Sequence, residues 1–440
     1  MKVKILSRNP DQYLPETKRD IPKVSRNYDP SQHPFEAARE YVRAVNSAKL
    51  ERLFAKPFIG SLDGHRDGVQ CLICHPQSLS TLVSGAYDGE IRVWNLADRR
   101  CLRSVQAHRG IVRGLCFSSD GKFVFSVGDD QNIKQWDLVD LAEPVGTLMS
   151  KTNLLSIDHH YSDSKYATCG EAVEIWDEAR SHPIRSYSWG ADSVHAAKFN
   201  CIETNIIASC SADRSIVLHD IRQANPLRKV TLAMKTNTLC WNPMEAYIFT
   251  AANEDYNCYS FDMRNLSTPT MVYSDHVSAV LDLDYSPTGK EFVTASYDKT
   301  IRIFPVEKGH SREIYHTKRM QRVTSIRYSR DNRFIISGSD EMNIRLWKSH
   351  ASEKLGYLAP RETAAFRYSE KLKEKYGHHP QVKRILRHRH LPKHVYNAKK
   401  QNQESRFSKK RKEANRRAHS KPGAVPYVPE RKKAVINEQE

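Results

Sequence analysis

The sequence predicts an all-β repeat protein of seven units, with a helical N-terminal extension and a basic, mostly helical C-terminal arm. Three observations carry this. First, one phrase recurs: an aliphatic run, a small residue, an acidic turn, then alternating residues that close on an aromatic. It reads VSGAYDGEIRVW at Val83–Trp94, FSVGDDQNIKQW at Phe125–Trp136 and VTASYDKTIRIF at Val293–Phe304. Second, the closing positions Trp94, Trp136, Trp176, His219, Phe261, Phe304 and Trp347 follow at intervals of 42, 40, 43, 42, 43 and 43 residues. A fixed period of that length marks stacked supersecondary units. Third, the runs alternate, as in Ile91-Arg92-Val93-Trp94, which is strand patterning. The acidic residue between two such runs supplies turn chemistry.

The hallmarks are Gly64-His65, Asp88 and Trp94-Asn95 in the first unit. The second has Ala107-His108, Asp130 and Trp136-Asp137, and the sixth has Asp275-His276 and Asp298. This pattern resembles the WD-repeat β-propeller family, which implies a ring of four-stranded blades, here seven. The resemblance also implies a network of loop His, strand Ser or Thr, turn Asp and strand Trp. His65–Ser84–Asp88–Trp94 and His108–Ser126–Asp130–Trp136 are complete, and His276–Thr294–Asp298 ends on Phe304. A His-Ser-Asp set also suits a hydrolase triad. Recurrence at the fold period instead favours hydrogen bonds that satisfy buried polar groups. No Walker phosphate loop, zinc-hydrolase helix or nucleophile elbow is present. No catalytic residue is assigned and no enzyme activity is expected.

In chain order, residues 1–33 are polar and punctuated by Pro10, Pro15, Pro22 and Pro30, which predicts extended chain able to order on a partner. Pro34 suits a first helical position. Phe35, Ala38, Val42 and Val45, continued by Leu50, Leu53 and Phe54, follow helical spacing. An amphipathic helix is predicted over Phe35–Phe54, its apolar stripe facing the propeller or another protein. The extension spans 1–55 and the propeller 56–350. The seventh repeat, ISGSDEMNIRLW at Ile336–Trp347, leads into polar helix-forming chain and so lacks a last strand. An unclosed ring leaves two unpaired edges, so residues 56–62 (PFIGSL from Pro57) are expected to complete blade seven. Its acidic turn position falls to Asp340 or Glu341, and blade three is short at its turn.

Charge is distributed unevenly. The chain carries +18. Residues 1–60 hold 12 basic and 7 acidic residues, 61–350 hold 33 and 35, and 351–440 hold 24 and 9. A nearly neutral propeller with a cationic arm points to a polyanion, nucleic acid first. No run of eighteen apolar residues occurs, so no membrane span is expected, and the first residues lack an apolar segment long enough for a secretion signal. Nine cysteines, an odd number, fall in strand-like runs and read as buried free thiols of a reducing compartment. Cys71-Leu72-Ile73-Cys74-His75 matches a haem-attachment pattern, but it sits where other repeats place their first strand. No cofactor is expected.

The arm spans 351–440. Arg361–Gly377 has Ala365, Phe366, Tyr368, Leu372 and Tyr376 in a helical stripe, with Gly377 placed to end it. His378–Tyr396 has Val382, Ile385 and Leu386 as a short apolar face among Lys383, Arg384, Arg387, Arg389 and Lys393. Lys399–Arg417 is almost all polar, and a helix without an apolar face has nothing to pack alone. Lys421–Glu440 reads as extended. Three readings of the arm stand together: a solvated tail, a nuclear-import-like cluster at Lys409, Lys410, Arg411 and Lys412 with Arg416 and Arg417, and an RNA contact. In the last, these cations neutralise phosphates while His388, His390, Tyr396 and Phe407 offer stacking surfaces. The arm's six histidines lack cysteine partners or zinc spacing, so no metal is assigned.

A separate signal ends blades four and five: His219-Asp220-Ile221-Arg222 and Phe261-Asp262-Met263-Arg264. These resemble the W-D-x-R box of propellers that act as substrate receptors of cullin-RING ubiquitin ligases. The resemblance implies that Asp220/Arg222 and Asp262/Arg264 meet the damage-binding adaptor; strand capping is the plainer reading. Finally, RNYDPSQHPFEAAREYVRAVNSAKLERLFAKPF, NPMEAYIFTAANEDYN, YSPTGKEFV, RHRHLPKHVY and HSKPGAVP together resemble the Sof-like WD-repeat proteins of the small-subunit processome, also described as cullin-4 ligase-associated factors. That resemblance covers nearly the whole chain. It implies a nucleolar scaffold of the U3 small nucleolar ribonucleoprotein. Its expected partners are pre-rRNA, U3 small nucleolar RNA and other processome proteins, and its role is in pre-rRNA processing and 18S rRNA maturation. Receptor activity in a cullin-4 ligase is the alternative.

Overall fold

Each repeat phrase folds into one antiparallel sheet, and the sheets number seven. The computed structural model describes Asp29 and residues 35–188 and 192–439. The extended chain expected over 1–33 lies outside these, Asp29 aside. Blades one to six occupy 69–106, 112–149, 156–187, 194–232, 236–273 and 280–315. Blade seven takes Val323–Tyr328, Phe334–Ser339 and Ile344–Lys348, and Phe58–Leu62 is its outer strand. That strand runs antiparallel to Ile344–Lys348, from Phe58 opposite Trp347 to Leu62 opposite Ile344.

The ring is closed. The first strand of each blade touches the first strands of both neighbours, blade seven against blade one included. Seven apolar clusters fill the seven blade interfaces. The one at the closure joins Leu62, Ile336, Ile344 and Leu346 to Val69, Leu72, Leu82 and Trp94. Each fully buried aliphatic side chain contributes roughly 1.5–3 kcal/mol, so the alternation in the sequence is what holds blade to blade. On the innermost strands, ion pairs bridge neighbours: Lys198 to Asp158 at 2.7 Å and Arg327 to Asp282 at 2.9 Å.

The turn after the second strand explains the recurring acid. Asp88 Oδ1 accepts the Glu90 N–H at 3.0 Å, and Asp298 Oδ1 accepts that of Thr300 at 2.9 Å. In every blade but the third, the residue after the acid is left-handed: Gly89, Gln131, Arg214, Tyr256, Lys299 and Met342. At Gly89 a Cβ would stand 2.2 Å from the His108 carbonyl oxygen, so only glycine fits there. Met342 fixes the blade-seven register. Glu341 holds the turn position and pairs with Arg345, while Asp340 pairs with Arg322.

Among the described residues the α-helices are α1 (Glu36–Leu53), α2 (Pro360–Lys375), α3 (Pro380–Arg387) and α4 (Lys393–Ala418). Residues 35–54 and Lys354–His388 form a helical unit; among the described residues, Ala55–Glu353 and the chain from Arg389 form the propeller unit. In the helical unit, Val45 and Ala48 of α1 bury against Val382 of α3, with Tyr41, Tyr376, Ile385 and Leu386 around them. Lys373 pairs with Glu51 and Lys375 with Glu40, both at 2.6 Å. The face of α1 that packs on the C-terminal helices is therefore Tyr41, Val45 and Ala48; of the expected stripe only Val45 is buried, and Phe35, Val42, Leu50, Leu53 and Phe54 are exposed, because the partner helices meet the neighbouring face. In the propeller unit, Val435–Gln439 adds a fifth strand to blade four, beside Pro226–Leu232.

Candidate interaction surfaces

The histidine networks are interior structure. His108 Nδ1 lies 2.8 Å from Asp130 and its Nε2 2.7 Å from Ser126 Oγ, which also accepts the Trp136 indole N–H. His276 bridges Asp298 and Thr294 in the same way. Blade one differs: His65 Nε2 meets Ser84 Oγ at 2.6 Å, but its Nδ1 faces Glu90 at 3.8 Å, not Asp88. Burial, then Arg92, lowers its pKa to about 4. Each hydroxyl is engaged inside a blade, which is the arrangement of a satisfied buried polar group. Cys71 and Cys74 lie on the innermost strand of blade one, and burial pushes both thiols up to about 12. The nine cysteines are free, and no cluster able to hold a metal occurs among the described residues.

The two boxes share one geometry. Asp220 Oδ1 accepts the Arg222 backbone N–H at 2.9 Å and Nε at 3.1 Å, and Oδ2 accepts Nη2 at 3.1 Å. Asp262 holds Arg264 likewise, at 3.0, 3.1 and 2.8 Å. The Arg264 guanidinium also lies 4.4 Å from the centre of the Tyr247 ring. The arginine side chains stay 69% and 65% exposed. Hydrogen bonds from Arg264 hold the Asp262 carboxyl below its usual range; at Asp220 burial opposes this and the Arg222 fork outweighs it. A guanidinium fixed by a bidentate carboxylate, yet open to solvent, is preorganised for an interface. The sequence pattern misses Tyr187 on the outer strand of blade three. Its hydroxyl donates toward the carbonyls of Asp220 at 3.0 Å and Gln223 at 2.9 Å, fixing the loop that carries Arg222. Blade three's own Asp177 and Arg180 are looser, at 3.8 Å.

The arm cations divide between the two units. Lys383, Arg384 and Arg387 are exposed on α3 of the helical unit. Arg389 corrects the sequence expectation of a phosphate contact. It is half-buried on the propeller, 3.2 Å from Glu313, with Nε donating to the Arg312 carbonyl at 2.7 Å. Lys399 is likewise engaged by Asp275 at 3.1 Å. These two contacts anchor α4 to blade six. In all, α4 has ten Lys and Arg, Lys399 included, against Glu404 and Glu413, and its buried residue is Val395. Lys393, Lys409, Lys410, Arg411, Lys412 and Arg416 are exposed; Lys410 meets Glu430 at 2.8 Å and Arg417 stacks on Tyr427 at 4.9 Å. Phe407 stands exposed among them.

Known proteins share this arrangement. Residues 349–435 match the Sof1-like domain, and 56–95, 99–137, 267–304 and 309–348 match the WD domain, G-beta repeat. A Xenopus tropicalis protein called "DDB1- and CUL4-associated factor 13" is 61% identical over 99% of both chains. "Protein SOF1" of Saccharomyces cerevisiae is 45% identical over 99% of this chain and 94% of its own. This chain belongs to the Sof1-like WD-repeat family. The Homo sapiens protein of the same name as the Xenopus one is 60% identical, again over 99% of both. The WD40 β-propeller of Doa1 superposes with a TM-score of 0.59 over 66% of this Sof1-like chain and 96% of that one. At 21% identity it speaks to the fold alone. The Sof1-like domain comprises α2, α3, α4 and the start of the added strand, so it contributes to both units.

Proposed function

We propose that this Sof1-like protein is a non-catalytic scaffold of the small-subunit processome and the U3 small nucleolar ribonucleoprotein, acting in nuclear and nucleolar pre-rRNA processing and 18S rRNA maturation. The observation that carries it is α4: a 26-residue helix with ten basic residues, two acidic ones and a single buried residue, Val395. Such a helix neutralises phosphates along its length, and counterion release makes that contact favourable without base readout. Likeness to Protein SOF1 along the whole chain supports the same reading. Its partners on this reading are pre-rRNA, U3 small nucleolar RNA and neighbouring processome proteins. The test reverses the open cations, Lys409→Glu, Arg411→Glu, Lys412→Glu and Arg416→Glu, and leaves Arg389 and Lys399 in place. Crosslinking to RNA is expected to fall by roughly tenfold or more with blade stability unchanged; undiminished crosslinking removes the RNA claim.

The second reading, a substrate receptor of a cullin-4 RING ligase, rests on the Asp220–Arg222 and Asp262–Arg264 forks. The name "DDB1- and CUL4-associated factor 13" supports it. Arg222→Ala with Arg264→Ala is expected to abolish pull-down of the damage-binding adaptor while the chain stays folded. Persistent pull-down would leave both forks as strand ends. The two readings use different residues and are compatible.

A further inference from the structure

The outer strands of blades one and four, Arg100–Gln106 and Pro226–Leu232, are seven residues long, against three or four in blades two, three, five and six. A long open edge templates strand addition. On blade four the chain covers that edge itself. Val230 lies opposite Glu438 and Thr231 opposite Asn437. Ala434 and Val435 pack into the apolar cluster between blades four and five. Glu438 Oε1 accepts the Leu266 N–H at 3.2 Å and lies 3.8 Å from Arg228 Nη1.

Blade one repeats this site without the added strand. Arg103 stands opposite Val93 as Arg228 stands opposite Leu218, and both strands bulge at the residue before, Leu102 and Leu227. The loop of the following blade also matches. Ala142 N–H donates to Asp140 Oδ1 at 3.2 Å, as Ser267 N–H donates to Asn265 Oδ1 at 3.1 Å. Leu141 is buried like Leu266, so its N–H holds the corresponding place. Between them lies an open groove of about 790 Å³, lined by residues 103–106 and 139–142. Leu102 is 59% and Val139 73% exposed beside it, and no strand pairs beyond Arg100–Gln106 among the described residues.

We propose that this groove binds an extended segment of a protein partner, a fifth strand carrying a carboxylate three residues after an aliphatic side chain, as Glu438 follows Val435. Arg103 and the Leu141 N–H receive the carboxylate, and the aliphatic residue falls beside Ala107, the counterpart of the Leu232 that Val435 faces. Main-chain hydrogen bonds along the edge supply the rest. Charge selects the occupant. Arg99, Arg100 and Arg103 favour an acidic segment, and the Oδ1 of Asp140, the acidic residue in the lining, is already engaged by Ala142. Residues 1–28 of this chain, with seven basic and three acidic residues, fit the site poorly.

The probe is a synthetic peptide of residues 433–440, KAVINEQE, standing in for the partner strand and added to the full chain. Hydrogen exchange is expected to slow at Arg103–Gln106, with Pro226–Leu232 unchanged because the chain's own strand already covers it. Arg103→Glu, at an exposed position, is expected to weaken peptide binding roughly tenfold. So is a peptide carrying Glu438→Lys. Four outcomes overturn the proposal: no slowing at Arg103–Gln106; slowing confined to Pro226–Leu232; an edge already protected in the free chain and exposed on removing residues 1–28; or peptide-free protection that grows with protein concentration, which would make the occupant a second copy.

Discussion

His219 stands where blades one, two, three and seven carry Trp, and it takes over the same task. Its Nε2 lies 3.0 Å from Ser209 Oγ, as Trp94 Nε1 lies 2.8 Å from Ser84 Oγ. The exchange adds a titratable group to a dry interior. Burial lowers its pKa to about 4, as it does for His65 together with Arg92. The folded chain keeps both rings neutral down to about pH 4, whereas the unfolded chain protonates them near 6.5. Between those values the unfolded state binds more protons, so stability falls as pH drops from 6.5 to 4 and is flat above 6.5 on their account. Each ring contributes on the order of 3 kcal/mol across that window. Urea midpoints at pH 7.5, 5.5 and 4.5 check it, and His219→Gln is expected to reduce the slope. An unchanged midpoint between pH 7.5 and 4.5 would refute this account. The alignment of the closing positions reveals the swap. What it cannot reveal is the missing His65–Asp88 contact, because that depends on where the Glu90 side chain settles.

At the scale of elements, strands and helices are legible to different degrees. Alternation and the turn acid announce the blades, since short apolar runs with a period near two, bounded by turn residues, read as strands. Helix α1 is legible as a helix, but neither its buried face nor its partner is: Val42, Leu50 and Leu53 stay exposed while Ala44 and Ala48 are buried, because α2 and α3, far away in sequence, decide which side is covered. Val435–Gln439 is less legible still. VINEQ is short and largely polar, and its pairing is set by the edge of Pro226–Leu232 and by Arg228, far away in sequence. Helix α4 is legible as a helix without an apolar stripe, and its buried residue is Val395, but its anchor is not legible. The anchor can be tested. Burial opposes the charge on Asp275, yet Lys399 and Ser311 hold its carboxyl well below the usual range. Lys399→Met removes the cation, and the first turns of α4 should exchange amide hydrogens faster while blade six stays protected. Unaltered exchange at residues 393–402 would show that Arg389 alone suffices.

For the molecule as a whole, charge and rigidity are separated. The propeller, near neutral over residues 61–350, pairs its charges internally, while the last ninety residues carry the excess. RNA affinity should therefore depend on salt through the arm. Reversing four α4 cations is expected to make the slope of log K against log salt shallower by about 3, at about 0.7 per contact with a single strand. An equal slope in wild type and variant would place the phosphate contacts elsewhere. The sequence by itself determined the seven-fold ring and the location of the cationic excess, because a repeat period and a local composition are written in consecutive residues. Tertiary structure alone decided which arginines are engaged and which are open, why Arg389 and Lys399 anchor rather than reach outward, and that one long blade edge is covered by the chain's own tail while its counterpart on blade one has no added strand among the described residues. Those outcomes depend on carboxylates, carbonyls and edges brought together from distant parts of the chain, and no local pattern encodes such meetings.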